Sequence, residues 1–189
     1  MKKILVLIVL LMGYFSSFAQ VRLGLIAGGV FAKTSGKSSK GRAGGYLGAE
    51  ADLKLGRLVS LRPQLKYIMK GESISSEGKG GYNYLELPVN LVYFIPTTIG
   101  RLSIGGGPAV AYLMSGSWTA LDGVKEPIDF KYDKVNKLDI GLNAVASLEI
   151  NRNFFFSVNY TYGFLNVWSA EYVGNNKNRS IGLGVGVTF

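Results

Sequence analysis

The sequence predicts an all-β chain: an eight-stranded antiparallel up-and-down transmembrane β-barrel with four long external loops and three short periplasmic turns. Three observations predict it. Side chains alternate with the period of two that a strand imposes, in eight successive segments. The charges of those segments fall on one of the two faces so produced, and the connectors between them alternate long and short.

The first segment is an address. Lys2 and Lys3 precede an apolar run over residues 4–12, and a more polar stretch ends in Ser17-Phe18-Ala19. Small residues at the two positions read by a signal peptidase predict a secretory signal peptide over residues 1–19, cleaved near Ala19. The run is far shorter than the ~20 apolar residues of a spanning helix. Any membrane crossing therefore falls to strands. The mature chain, residues 20–189, carries a net charge of +7.

The segments follow in order. Residues 21–31 set Val21, Leu23, Leu25, Ala27 and Phe31 against Arg22, Gly24, Ile26 and Gly28; residues 43–55 set Leu47, Ala49, Ala51 and Leu53 against Tyr46, Glu50, Asp52 and Lys54. Residues 59–70 place Leu61, Leu65, Tyr67 and Met69 opposite Arg62, Gln64, Lys66 and Lys70, and residues 84–95 place Leu85, Leu87, Leu91 and Tyr93 opposite Glu86 and Asn90. Residues 102–114 alternate Leu102, Ile104, Val110 and Tyr112 with a face of very small residues. Residues 138–150 set Ile140, Leu142 and Leu148 against Asp139, Asn143 and Glu149; residues 154–164 and 181–189 continue the pattern to Phe189. Each segment has the length of a tilted strand crossing a bilayer.

The long links are 33–42, 71–81, 115–137 and 166–179, and the short ones surround 56–57, 96–100 and 151–153. Short periplasmic turns and longer outer loops give that asymmetry. The uncharged face reads as the lipid-facing wall, with Phe31, Tyr67, Tyr112, Tyr162 and Phe164 toward one interface and Tyr93, Phe154 and Phe189 toward the other. A soluble periplasmic ligand-binding barrel, which needs the reverse arrangement, is the weaker alternative. Pro63, Pro88 and Pro108 lie inside proposed strands and predict local bulges or missing ladder bonds.

Eight strands enclose room for side chains only, so the inner face predicts a packed polar core. Its candidate residues are Arg22, Lys54, Arg62, Lys66 and Lys70 with Glu50, Asp52, Glu86, Asp139 and Glu149. Balanced signs suit an ion-pair plug better than an ion-selective path. A narrow channel for ions or small polar solutes is the alternative reading. Inner-face glycine and alanine are expected to make room for the long basic side chains opposite.

The chain has no histidine and no cysteine, which excludes histidine-dependent triads, thiol nucleophiles and most zinc or iron–sulfur sites. No catalytic, cofactor or metal site is predicted, and the protein reads as a non-enzyme. Outer-membrane lipid and lipopolysaccharide are the expected surroundings; the first loop, with Lys33, Lys37, Lys40 and Arg42 and no acid, reads as solvated or touching their phosphates. The third loop, with Trp118, Phe130 and Tyr132, is the best candidate surface for a protein partner, or packs onto the barrel mouth. No stacking platform interleaves with the basic residues, so nucleic acid is not an expected partner.

Several motifs resemble one family. Tyr84-Leu85-Glu86-Leu87-Pro88, Gly105-Gly106-Gly107-Pro108, Asp139-Ile140-Gly141-Leu142, Tyr160-Thr161-Tyr162-Gly163-Phe164 and Gly184-Val185-Gly186-Val187-Thr188-Phe189 are similar, in that order, to elements of the PorT-like outer-membrane β-barrel proteins of Bacteroidetes. The resemblance covers nearly all the mature chain. It implies an outer-membrane barrel, a final Phe189 read by the barrel-assembly machinery, and a structural, adhesive or secretion-accessory role. It implies no catalytic residue.

Overall fold

The computed structural model describes residues 21–36, 39–74, 78–129, 135–150, 153–168 and 176–189, so the signal peptide and its cleavage site lie outside the described residues. The strands are β1 (Val21–Thr34), β2 (Ser39–Lys54), β3 (Val59–Ile74), β4 (Gly78–Thr97), β5 (Gly100–Thr119), β6 (Lys125–Pro127), β7 (Leu138–Glu149), β8 (Phe154–Asn166) and β9 (Lys177–Thr188). Pairing runs β4-β3-β2-β1-β9-β8-β7-β5, and β4 with β5 closes the ring of eight. Ile181 of β9 pairs with both Phe31 of β1 and Tyr160 of β8, so the last strand seals the first. Closure removes the free edges that an open sheet would leave exposed.

Alternation decides which side of the wall each residue takes. Along β4, Leu85, Leu87, Leu91 and Tyr93 are exposed, while Tyr84, Glu86, Pro88, Asn90 and Val92 are buried. The same inversion holds around the ring: the exposed positions carry Leu23, Leu25, Leu65, Ile140, Leu142, Phe156, Leu183 and Val185, and the buried ones Glu50, Asp52, Arg62, Lys66 and Asn143. An apolar exterior around a polar interior is stable only in lipid, where water does not oppose the one and the wall shields the other.

The outer end differs from the sequence expectation. Strands β1 to β4 run past their expected ends, so the first two outer connectors shrink to residues 35–38 and 75–77, and only the third and fourth are long. Glycine and serine in those stretches carry turn chemistry, but strand pairing continues through them and tertiary contacts hold the strands. Glu72, for example, accepts hydrogen bonds from Tyr82 (3.0 Å), Ser39 (2.9 Å) and Thr34. The third connector carries the short β6, folded back on β5 through a turn in which Gly123 adopts a φ of 86°, a conformation that favours glycine.

The prolines interrupt the ladder without bulging it. Pro63 pairs with Val89, and the next registered pair is Lys66 with Glu86; Pro88 pairs with Ala109, and the next is Leu91 with Gly106. Pro108 falls in that second gap. Ladder positions drop out where a proline has no N–H to donate, yet the register is unchanged across each gap. The register shifts lie elsewhere, between Gly41 and Tyr46, Asn83 and Tyr84, and Tyr162 and Asn166.

Candidate functional site

Among the described residues the lumen gathers buried charge of both signs, and strand parity sends it there. Arg62, Lys66, Lys70 and Glu72 occupy alternate positions of β3, Glu50 and Asp52 of β2, and Asp139 and Asn143 of β7. From the turn end upward these side chains meet in layers.

At the turn end, Arg22 Nη1 donates to Glu149 Oε1 at 2.8 Å. Arg101 donates to the other oxygen through Nε (2.9 Å) and Nη2 (2.5 Å), with its guanidinium 4.0 Å from the Phe94 ring centroid. Lys54 stands beside Arg22 and Arg101 around an open cleft of about 840 Å³ that Phe189 also lines. One layer inward, Arg62 Nη2 donates to Asp52 at 2.8 Å and Nη1 to Ser147 at 3.0 Å, and Gln64 donates to Glu50 at 2.8 Å.

Glu86 forms the centre. Lys70 Nζ donates to its Oε2 at 2.6 Å, and Lys66 Nζ stands 3.0 Å from Oε1. The Lys66 contact is off hydrogen-bond geometry, so its attraction is Coulombic. Two ammonium groups against one carboxylate leave an excess positive charge. Part of it faces aromatic rings: Lys66 lies 5.7 Å from the Tyr46 centroid and Lys70 5.4 Å from that of Tyr84. Above, Asn178 Nδ2 donates to Asp139 (3.0 Å) and to the Tyr84 hydroxyl (3.2 Å).

A cap covers the outer end. Trp168 Nε1 donates to the Tyr82 hydroxyl at 3.1 Å, and Trp118 meets Trp168 edge-on with centroids 6.4 Å apart. Leu113, Ile128, Val135 and Val167 belong to the buried cluster against which Trp168 packs. Ile128 sits over Gly116, where even a methyl group would come within 2.7 Å of its Cδ1. Trp118 is therefore half-buried in β5 at the mouth and not part of an open loop; Phe130 and Tyr132 lie outside the described residues.

The pairing is not the five-to-five match that the sequence suggests. Glu86 takes two lysines and Glu149 two arginines, while Glu50 and Asp139 meet side-chain amides. Lys54 stands at the cleft. Arg101 and Glu72 were not anticipated, although both continue the parity of their strands by one or two residues beyond the expected ends. Nor do the inner glycines mainly accommodate basic chains. The space over Gly184 is taken by the Tyr46 hydroxyl, over Gly186 by Phe155 and over Gly182 by Asn159, with only the Lys66 stem lying over Gly48. Tyr46, Tyr82 and Tyr84 are lumen residues, so part of the tyrosine content fills the interior instead of girdling the exterior.

Chemically, the arrangement neutralises and fills. Each of Glu50, Asp52 and Glu86, the carboxylates that a histidine-free mechanism would call on, is held by a neighbouring donor inside the wall. Among the described residues no group of His, Cys, Asp and Glu is disposed to hold a metal ion. Asn90 departs from the pattern: it is fully buried with neither amide atom hydrogen-bonded.

A family model described as an outer membrane protein beta-barrel domain matches residues 13–169. Among solved structures, Neisserial surface protein A is 16% identical, with 88% of this chain and 97% of that chain covered and a TM-score of 0.58. Ail, the attachment invasion locus protein of Yersinia pestis, is 15% identical, with 89% and 98% covered and a TM-score of 0.55. A second Ail structure, in complex with the heparin analogue sucrose octasulfate, is 14% identical at a TM-score of 0.53, with 89% and 99% covered. These likenesses establish the fold. No curated protein matches the chain. The apolar exterior and the family match together displace the soluble periplasmic barrel, which would need charge on its outer wall.

Proposed function

The chain belongs to the outer membrane protein beta-barrel domain family, and from that premise we propose that it works as a closed, non-conducting barrel of the Gram-negative outer membrane. Its activity is exercised at the external face, in a structural, adhesive or secretion-accessory role and without a catalytic step. The finer likeness to PorT-like barrels belongs to this reading. So does a protein partner at the outer loops.

One observation carries the proposal. Lys66, Lys70 and Glu86, with side chains at most 2% exposed, meet in the middle of the lumen beneath an apolar cap. An ion crossing the barrel would have to separate that cluster, and breaking a buried pair costs about 3–5 kcal/mol. Planar-bilayer recording tests it: across acidic to alkaline pH and low to high salt, the purified protein should give no openings above the lipid baseline. Sustained unitary openings would overturn the closed reading.

The narrow-channel reading has one observation in its favour. The unpaired amide of Asn90 lies inside a lumen whose turn end opens into the 840 Å³ cleft. If that reading holds, openings appear in the same recordings and change in Glu86→Gln.

A further inference from the structure

We infer that the outer rim of β9, β1, β2 and β4 is a binding belt for the phosphates of an outer-leaflet glycolipid. Lys33 of β1 pairs directly with Arg179 of β9, two rungs above the pair of Phe31 with Ile181 and on the same face. By strand parity both basic side chains face outward, as do the exposed Phe31 and Ile181. Directly opposed side chains have their Cβ atoms about 5 Å apart, and like charges there are destabilising. Such a pair suits a bridging anion. Lys177 stands two residues above Arg179 on the same face, about 6.5 Å along the strand.

Arg42 of β2 extends the belt through a prepared seat. Gly71 of β3 pairs with Gly81 of β4, and both point outward between inward neighbours. Their missing side chains leave a bare floor. Arg42 lies across it: a methyl group at Gly71 would meet its Cδ at 2.9 Å, and one at Gly81 its Nη1 at 3.2 Å. Nη1 donates to the Gly80 carbonyl at 3.1 Å, which fixes the guanidinium on the outer wall while the side chain stays exposed. Lys79 is exposed two residues beyond Gly81, and Arg179 is steadied by the Tyr162 ring, 5.1 Å from its Cζ.

Charge sign and height select the occupant. Every acidic residue of β1 to β4 (Glu50, Asp52, Glu72 and Glu86) is buried in the lumen, and β9 has none. Among the described residues of these strands the outward rim therefore presents cations alone, immediately above the exposed apolar side chains of Phe31, Met69 and Ile181. A ligand with phosphates on top and acyl chains beneath matches both layers, and guanidinium binds phosphate through parallel charge-assisted hydrogen bonds. A free phosphate would use the upper layer only.

The inference rests on membrane insertion of the barrel, and the test separates the two. The full mature chain is folded in detergent micelles, its folding checked by heat-shifted gel migration and its insertion by flotation with vesicles. Labelled bisphosphorylated lipid A is then titrated against the same lipid stripped of its phosphates. The phosphorylated form should bind about tenfold tighter, and Lys33→Ser/Arg42→Gln/Arg179→Ser should lose about that factor, equivalent to 1.4 kcal/mol. The exposed pair Lys33→Ser/Lys79→Ser, which leaves the Arg42 seat intact, should lose part of it, and Lys125→Gln on β6 none. Equal binding of the two lipids, an unchanged affinity in both belt variants of a folded barrel, or full displacement by millimolar inorganic phosphate would each overturn the belt. A chain that neither folds nor floats would overturn the membrane reading instead.

Discussion

Replacing Glu86 by glutamine keeps the shape of the central side chain and removes its charge. Lys66 and Lys70 then share the middle of the lumen, with side-chain exposures of 1% and 2%, facing a neutral amide. At an effective dielectric of about 20, each contact near 3 Å represents a gross attraction of roughly 6 kcal/mol. Desolvation offsets much of that, and removing one member of a buried ion pair costs about 3–5 kcal/mol net. This is a large fraction of the ~5–15 kcal/mol that holds a typical domain folded. Equilibrium urea unfolding in lipid vesicles, followed by tryptophan fluorescence, reads the change as a lower midpoint at constant slope. The companion variant Lys66→Met/Glu86→Gln/Lys70→Met removes all three charges and should recover most of the loss, because apolar replacement of a whole buried cluster is close to neutral. A loss below about 1 kcal/mol in Glu86→Gln, or a triple variant as unstable as the single, would refute the reasoning.

Three further outcomes are expected. Ala144→Arg, at an exposed outward position midway along β7, should destabilise the inserted barrel by about 2–4 kcal/mol in the same unfolding assay; a neutral result would argue against lipid at that height. Gly184→Val should cost about 1–3 kcal/mol by overpacking, because its side chain takes the space of the Tyr46 hydroxyl, which accepts a hydrogen bond from Asn159 at 3.2 Å. Intact mass spectrometry of the protein from isolated outer membranes should give a chain beginning at Gln20, and retention of Met1 would refute cleavage near Ala19.

The wall was legible because its rule is local. A residue's side of a strand follows from parity, so Leu85 against Glu86, or Tyr67 against Lys66, could be assigned before any pairing was known. Parity also contained the signal for Arg101 and Glu72, but each stands next to a glycine that reads as a turn, and the strands were expected to stop short of them. The cap was less accessible. Trp168 meets Tyr82 across 86 positions of chain, and nothing in either neighbourhood names the other.

The sequence by itself determined eight strands with an apolar face and a charged face, because two-fold alternation and face-sorted charge are properties of each strand taken alone. Only the tertiary structure decided who meets whom within the interior. Arg22 and Arg101 converge on Glu149, Lys66 and Lys70 on Glu86, and Asp139 on Asn178, across gaps of up to 127 residues. Partners across a barrel are set by the register and stagger of every strand between them, quantities to which each hairpin contributes. The same dependence placed Arg42 over the Gly71–Gly81 pair and Lys33 against Arg179, so the outer rim became a candidate site only once the ring was closed.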